Sequence, residues 1–226
     1  MVSPRCANAA GSLDSVTGAY VGQVVRPFTH TIGLGVRYRT IVIDPPWPYE
    51  SWPGQMGANG VYVRHGVLDK KYRRPIPYAC MTIGQIMALP ITTLAEPDGC
   101  HVYLWTTNKW LPRAFQVFDI WGVRYGQTLV WAKTPMGLGP GGAWAQSTEY
   151  CLVGRIGSLK WTRRLDSTWF NWPRMGPGSH SRKPEHFLDM VEQVSPGPYV
   201  ELFARRHRLG WDVWGNESAN TAELAV

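Results

Sequence analysis

Thr40-Ile41-Val42-Ile43-Asp44-Pro45-Pro46-Trp47 is the stretch on which the fold turns. Four β-branched residues in succession favour an extended chain, because branching at Cβ stiffens χ1 and packs well on a pleated surface. Two prolines then end the run, since each fixes φ and lacks an N–H for the ladder. The segment reads as a short buried strand that delivers an acid, two rigid residues and an indole at its carboxyl end. Open α/β sheets place their ligand sites there.

Downstream, residues 48–77 show no period and carry Gly54, Gly57, Gly60, Gly66, Pro53, Pro75 and Pro77, as lids and binding loops do. Met81–Leu94 spaces Ile83, Ile86, Met87 and Leu89 for a helix face, with Thr82 as N-cap and Pro90 as a break. Gly99–Thr106 is a second buried strand, and Leu111–Trp121 a helix with Leu111, Phe115 and Phe118 at core spacing. Tyr125–Lys133 and Glu149–Val153 read as strands, residues 134–142 as a Gly/Pro loop, and 154–183 as irregular and basic. Pro184–Val194 is a helix with Phe187, Leu188 and Val191 apolar, followed by strands Tyr199–Ala204 and Trp211–Trp214. Strands alternating with helices predict an α/β domain with a mostly parallel sheet. The expected organisation is a poorly ordered arm over 1–25, a single domain over 26–217 and a flexible tail over 218–226.

Composition narrows the class. The chain has 226 residues, 44% hydrophobic and only 17% charged, which excludes wholesale disorder. No apolar run is long enough to cross a membrane as a helix. Cys6, Cys80, Cys100 and Cys151 lie far apart, which argues against a zinc module or disulfide framework and for a reducing cytoplasm. The net charge of +7 suits a polyanionic partner such as nucleic acid.

Asp44-Pro45-Pro46-Trp47 fits one chemistry closely. The exocyclic nitrogen of adenine is a poor nucleophile because its lone pair is delocalised into the ring. A carboxylate accepting one N–H, with a backbone carbonyl accepting the other, localises that pair. Consecutive prolines stiffen the carbonyl, and Trp47 offers a stacking face for a base taken out of its helix. The plain alternative is a strand-ending turn with a buried tryptophan.

Further pieces resolve the choice. Ile43 to Trp47, Tyr78-Ala79-Cys80-Met81-Thr82, Leu104-Trp105-Thr106-Thr107-Asn108, Trp131-Ala132-Lys133, Glu149 to Gly154, His180-Ser181-Arg182-Lys183-Pro184-Glu185, Glu201 to Arg205 and Trp214-Gly215-Asn216-Glu217 occur in this order. Together they resemble the MT-A-seventy family of adenine amino-methyltransferases, with Cys80 where the family pattern has threonine. The resemblance implies a Rossmann-like methyltransferase fold, α/β, with a mostly parallel seven-stranded sheet, helices on both faces and the catalytic motif before the cofactor motif. It implies an enzyme that uses S-adenosylmethionine, yields S-adenosylhomocysteine and needs no metal. The catalytic residues it implies are Asp44, Pro45, Pro46 and Trp47. Ile43, Asp44, Lys183, Glu201, Phe203, Arg205, His207, Asn216 and Glu217 match its cofactor positions. Of these, Lys183 faces the cofactor's carboxylate, and Arg205, Asn216 and Glu217 surround the ribose. A solvated charge run is the plain alternative for Arg205 to Arg208.

Two basic stretches in irregular segments are the nucleic-acid candidates: Arg64, Lys70, Lys71, Arg73 and Arg74, and Lys160, Arg163 and Arg164 beside Trp161. His180, Ser181 and Arg182 join them. Among relatives, prokaryotic and phage DNA enzymes fit the compact chain best, so the expected reaction is adenine-specific DNA methylation in the cytoplasm, by a monomer or a homodimer with no membrane partner. RNA adenosine methylation and a non-catalytic nucleic-acid-binding subunit are the alternatives.

Overall fold

The computed structural model describes residues 35–48, 80–133, 144, 146–173 and 182–215, with the backbone of 63–64 and 67–68. Strand β1 (Thr40–Ile43) forms where the β-branched run predicts it, and all four residues are buried. The chain separates into two compact units: residues 1–27 with 46–83, and residues 28–45 with 84–226. In the first, β2 (Val63–Arg64) and β3 (Val67–Leu68) pair antiparallel. Here too the Pro46 carbonyl accepts the N–H of Met81 at 2.8 Å.

The second unit holds a seven-stranded sheet. The further elements of the chain are α1 (Ile83–Met87), α2 (Ile91–Leu94), β4 (Gly99–Thr106), α3 (Leu111–Ile120), β5 (Arg124–Ala132), β6 (Thr148–Gly157), β7 (Trp169–Phe170), α4 (Glu185–Val194), β8 (Tyr199–Leu202) and β9 (Trp211–Trp214). The strand order is β7-β5-β6-β4-β1-β8-β9. β6 runs antiparallel between β4 and β5, and every other neighbouring pair is parallel. β1 therefore has a parallel neighbour on each side, with Thr40 opposite His101 and Tyr199. That placement explains its full burial. This mostly parallel mixed sheet with its helices is the Rossmann-like α/β architecture expected.

Alternation along the strands assigns two faces. Val42, Tyr103, Trp105, Cys151 and Val153 point to one, where α4 packs Phe187, Leu188, Met190 and Val191 against them. Gly154 points to the other, under α3: a Cβ there would stand 3.0 Å from the Phe118 ring and 2.7 Å from the Arg124 carbonyl. Only glycine lets the α3 layer close onto β6.

The same glycine accounts for one departure from expectation. β6 continues to Gly157, beyond the expected end at Val153, because a strand with an interior glycine reads as irregular. β7 lies inside the stretch 154–183 that was expected to be irregular throughout. β8 stops at Leu202, two residues early, because Phe203 adopts φ 64°. The 81–94 helix is two short helices broken around Pro90. On α3 the buried stripe is Ala114, Val117 and Phe118, with Phe115 leaning edge-on against Tyr125 instead of filling the core. Residues 1–25, 134–142 and 218–226, with the arm, loop and tail expected there, lie outside the described residues.

Candidate active site

The α4 face of the sheet gathers charge at the carboxyl end of β1. Asp44 follows Val42 in phase, so both point to that face. Glu149, opposite Trp131 at the start of the antiparallel β6, is buried and reaches the same end. Lys183, just before α4, bridges the two, with Nζ 2.6 Å from Asp44 Oδ2 and 3.4 Å from Glu149 Oε2. Lys133, one residue past β5, closes the cluster on Glu149 Oε1. Two cations and two carboxylates thus cancel. Side-chain exposures of 22% for Asp44, 13% for Lys183, 11% for Glu149 and 17% for Lys133 make that cancellation necessary.

The protonation states follow. Burial alone would lower the Lys183 pKa, but Asp44 and Glu149 outweigh it and hold the ammonium well above its ordinary value. Burial alone would raise Glu149, but Lys183 and Lys133 outweigh it and hold the carboxyl below its ordinary value. Aromatic faces line the cluster. Lys183 Nζ stands 5.2 Å from the Trp105 ring centre and Lys133 Nζ 5.1 Å from that of Trp131, both within cation–π range.

Beside this cluster lies a solvent-open pocket lined by Asp44, Lys183, Glu201, Phe203, Arg205 and Arg206 among others. Glu201 pairs in register with Val42, so its side chain shares the Asp44 face. Its carboxyl has no hydrogen bond or ion pair among the described residues. Burial pushes it up to about 7, and Arg206 only partly offsets the push. Phe203 reaches the pocket because of its left-handed backbone. The turn it begins lies tight on the end of β9: Ala204 donates its N–H to the Trp214 carbonyl at 3.0 Å, and a Cβ on Gly215 would sit 2.3 Å from the Ala204 oxygen. Substitution at Gly215 would push the pocket wall out.

The structure brings together Asp44, Lys183, Glu201, Phe203, Arg205 and Arg182, and Ile43 sits buried at the end of β1 facing the opposite side. Pro45 is buried next to Asp44. His207 is exposed and is not among the pocket-lining residues. The basic run after Arg205 is mostly neither ligand site nor solvated surface. Arg206 bonds Glu185 at 2.6 Å, and Arg208 bonds Glu192 at 2.8 Å and Asp189 at 2.7 Å, clamping the turn to α4. Asn216, Glu217, His180, Ser181, Lys70, Lys71, Arg73 and Arg74, and the Arg64 side chain, lie outside the described residues.

Lys160, Arg163 and Arg164 are exposed, but not beside Asp44. Trp161 stacks on His101 with ring centres 3.7 Å apart, and His101 aligns with Thr40, at the amino end of β1. The stretch therefore sits at the other end of the sheet, although it is close in sequence to Lys183. A polar chain anchors it. The Leu159 carbonyl can only accept, so His101 Nε2 carries the proton at 3.2 Å. His101 Nδ1 then accepts from Ser195 Oγ at 2.9 Å, and Ser195 Oγ accepts from the Tyr103 hydroxyl at 2.7 Å. Burial pushes His101 down to about 4, which keeps the ring neutral.

Sequence reasoning missed Lys133, Glu149, Trp105 and Trp131 as site residues. Each was quoted in a motif, but their convergence depends on strand register. Period-two phase toward the Asp44 face was the available signal.

The chain is similar to several known methyltransferases. A type II methyltransferase of Mycoplasma sp, M.MunI, is 26% identical over 189 residues, which covers 80% of this chain and 78% of that protein. A putative N(6)-adenosine-methyltransferase of Medicago truncatula, MT-A70-like, is 32% identical over 190 residues, covering 80% of this chain and 26% of that protein. The human N(6)-adenosine-methyltransferase catalytic subunit METTL3 is 29% identical over 191 residues, covering 80% of this chain and 28% of that protein. The chain thus spans about a quarter of the length of the plant and human proteins. Residues 38–217, which take in all seven strands of the sheet and every described residue of the charged cluster and its pocket, match MT-A70, and the chain belongs to the MT-A70 family of methyltransferases.

Proposed function

We propose that this protein transfers a methyl group from S-adenosylmethionine to the exocyclic amino group of adenine in DNA. One observation carries the reading. Asp44 stands at the carboxyl end of β1, its Oδ2 held by Lys183 and its Oδ1 without a hydrogen bond among the described residues, facing an open pocket. An oriented carboxylate with one free oxygen is the acceptor that an amino N–H needs.

The pocket's donor set fits S-adenosylmethionine. Lys183 and Arg205 offer cations to a carboxylate or to hydroxyls, and Asp44 and Glu201 offer acids to an ammonium. Bound there, the cofactor supplies an electrophilic methyl on a cationic sulfur, a leaving group that requires no metal. The chain's residues do the rest. Asp44 accepts one N–H of the amine and concentrates the lone pair on nitrogen. A backbone carbonyl stiffened by the consecutive prolines accepts the second N–H. As the new N–C bond forms, nitrogen must lose a proton, and Asp44 already holds one of its hydrogens. Trp47 stacks on the base. Arg64, Lys70, Lys71, Arg73 and Arg74 hold the phosphate backbone, within a catalytic domain spanning 26–217.

The DNA reading is supported by the length shared with the type II methyltransferase, of which this chain covers 78%. The N(6)-adenosine-methyltransferase names of the plant and human relatives support RNA as the second reading. Incubation with labelled cofactor and separate DNA and RNA pools, followed by digestion to nucleosides, separates them. Label in N6-methyldeoxyadenosine is the expected result. Label confined to the RNA pool replaces DNA with RNA, and label in neither turns the chain into a non-catalytic partner.

A further inference from the structure

Glu201 stands apart from the other acids of the site. Asp44 and Glu149 share Lys183, and Glu149 also holds Lys133. Of the arginines after β8, Arg206 is held by Glu185 and Arg208 by Asp189 and Glu192 on α4, while Arg205 lines the pocket. Glu201 lines the same pocket without a hydrogen bond or ion pair among the described residues. The charged groups that act on it come from three sides. Asp44 on β1 repels its charge, Lys183 ahead of α4 attracts it, and Arg206 and Arg208 in the following turn attract it from positions already committed to α4. Val213, its neighbour on β9, brings no charge.

We propose that Glu201 is a proton-exchanging ligand residue: its carboxyl holds a proton while the pocket lacks a cationic ligand and releases it to solvent when an ammonium-bearing ligand binds against it. The inference rests on the cofactor reading above and adds a proton to the binding equilibrium. The geometry supports this. Beside the Asp44, Lys183, Glu149 and Lys133 cluster, whose charges cancel, Glu201 forms no ion pair among the described residues, and a cationic ligand supplies one. The position of Glu201 near 7 places the exchange in the neutral range.

The test is calorimetric titration with S-adenosylhomocysteine, which carries the ammonium and transfers no methyl group, in two buffers of different ionisation enthalpy at pH 6, 7 and 8. Most of a proton should be released per ligand at pH 6, about half at pH 7 and little at pH 8. In Glu201→Gln the release should vanish, whereas any exchange by the ligand itself persists. Should that variant fail to fold, Glu201→Asp should still bind, with the profile displaced along the pH axis. Saturable binding with no proton release at any pH overturns the inference and leaves the cofactor reading intact. Release undiminished in Glu201→Gln, or unmoved in Glu201→Asp, overturns it as well. Absence of binding overturns the cofactor reading, and the inference with it.

Discussion

At the carboxyl end of the sheet, Asp44, Lys183, Glu149 and Lys133 meet as ions. At the amino end, on the same face, Tyr103, Ser195 and His101 meet as neutral groups in a directed chain that ends on the Leu159 carbonyl. Both clusters satisfy buried polar atoms. The neutral chain has one arrangement of its protons, and each member has its partner. The ionic cluster has two cations shared among carboxylates, so a new charged group can be admitted by changing partners. Rigidity at one end and exchangeability at the other is the division expected of a scaffold and a site.

The largest break in this comparison is Lys183→Ala. It strips Asp44 of its cation and leaves Glu149 with Lys133 alone, so stability should fall by about 3 kcal/mol in denaturant unfolding, toward the low end for buried pairs because the groups keep some contact with water. A loss under about 0.5 kcal/mol would mean that the cluster behaves as surface charge. Next is Asp44→Ala. If Asp44 is the pre-organised acceptor, methyl transfer should drop roughly a hundredfold to a thousandfold while the fold persists. Turnover within a few-fold of the unmodified protein would remove Asp44 from the chemistry.

The pH dependence of stability sharpens the contrast, because the two ends pull in opposite directions. His101 is pushed from 6.5 down to about 4, so over that range the unfolded chain takes up a proton that the folded chain refuses. Its contribution is full above pH 6.5 and is lost as pH falls toward 4. Glu201 is pushed from 4.5 up to about 7, so the folded chain keeps a proton that the unfolded chain has lost. Its contribution is full below pH 4.5 and is lost as pH rises toward 7. The slopes oppose each other between pH 4.5 and 6.5. Glu201→Gln should therefore unmask a rise in melting temperature across that window, worth up to about 3 kcal/mol. Superimposable profiles for the variant and the unmodified protein would refute the opposition.

The smallest effect belongs to the neutral end. Ser195→Ala leaves the Tyr103 hydroxyl and His101 Nδ1 without their common partner and should cost about 1–3 kcal/mol in unfolding experiments. Methyl transfer per folded molecule should be unchanged, since the chain lies at the far end of the strands from Asp44.

The legible parts of the fold were those fixed locally. β1, β4 and β9 are apolar runs bounded by proline, glycine or polar residues, and α4 shows its stripe of Phe187, Leu188 and Val191. The Asp44 motif could be read because acid, prolines and indole adjoin in sequence. What could not be read depended on register. Glu149 joins Lys183 only because β6 runs antiparallel beside β4, and the Lys160–Arg164 stretch parts from Lys183 because a long excursion separates them in space. Gly154 concealed the second half of β6, since its value is the room it leaves for Phe118 and Val123.

The outer flank of β5 carries one more consequence. β7 covers only Val130 and Trp131 of that nine-residue strand. Its first residues, from Arg124 to Gln127, are exposed, and the register slips between Tyr125 and Gln127. An uncovered strand is an invitation to another chain to add itself to the sheet. Here the irregularity twists the flank away from the flat geometry that such addition needs, and a guanidinium stands at its start. The bulge and the charge thereby disfavour another chain pairing its strand along this flank.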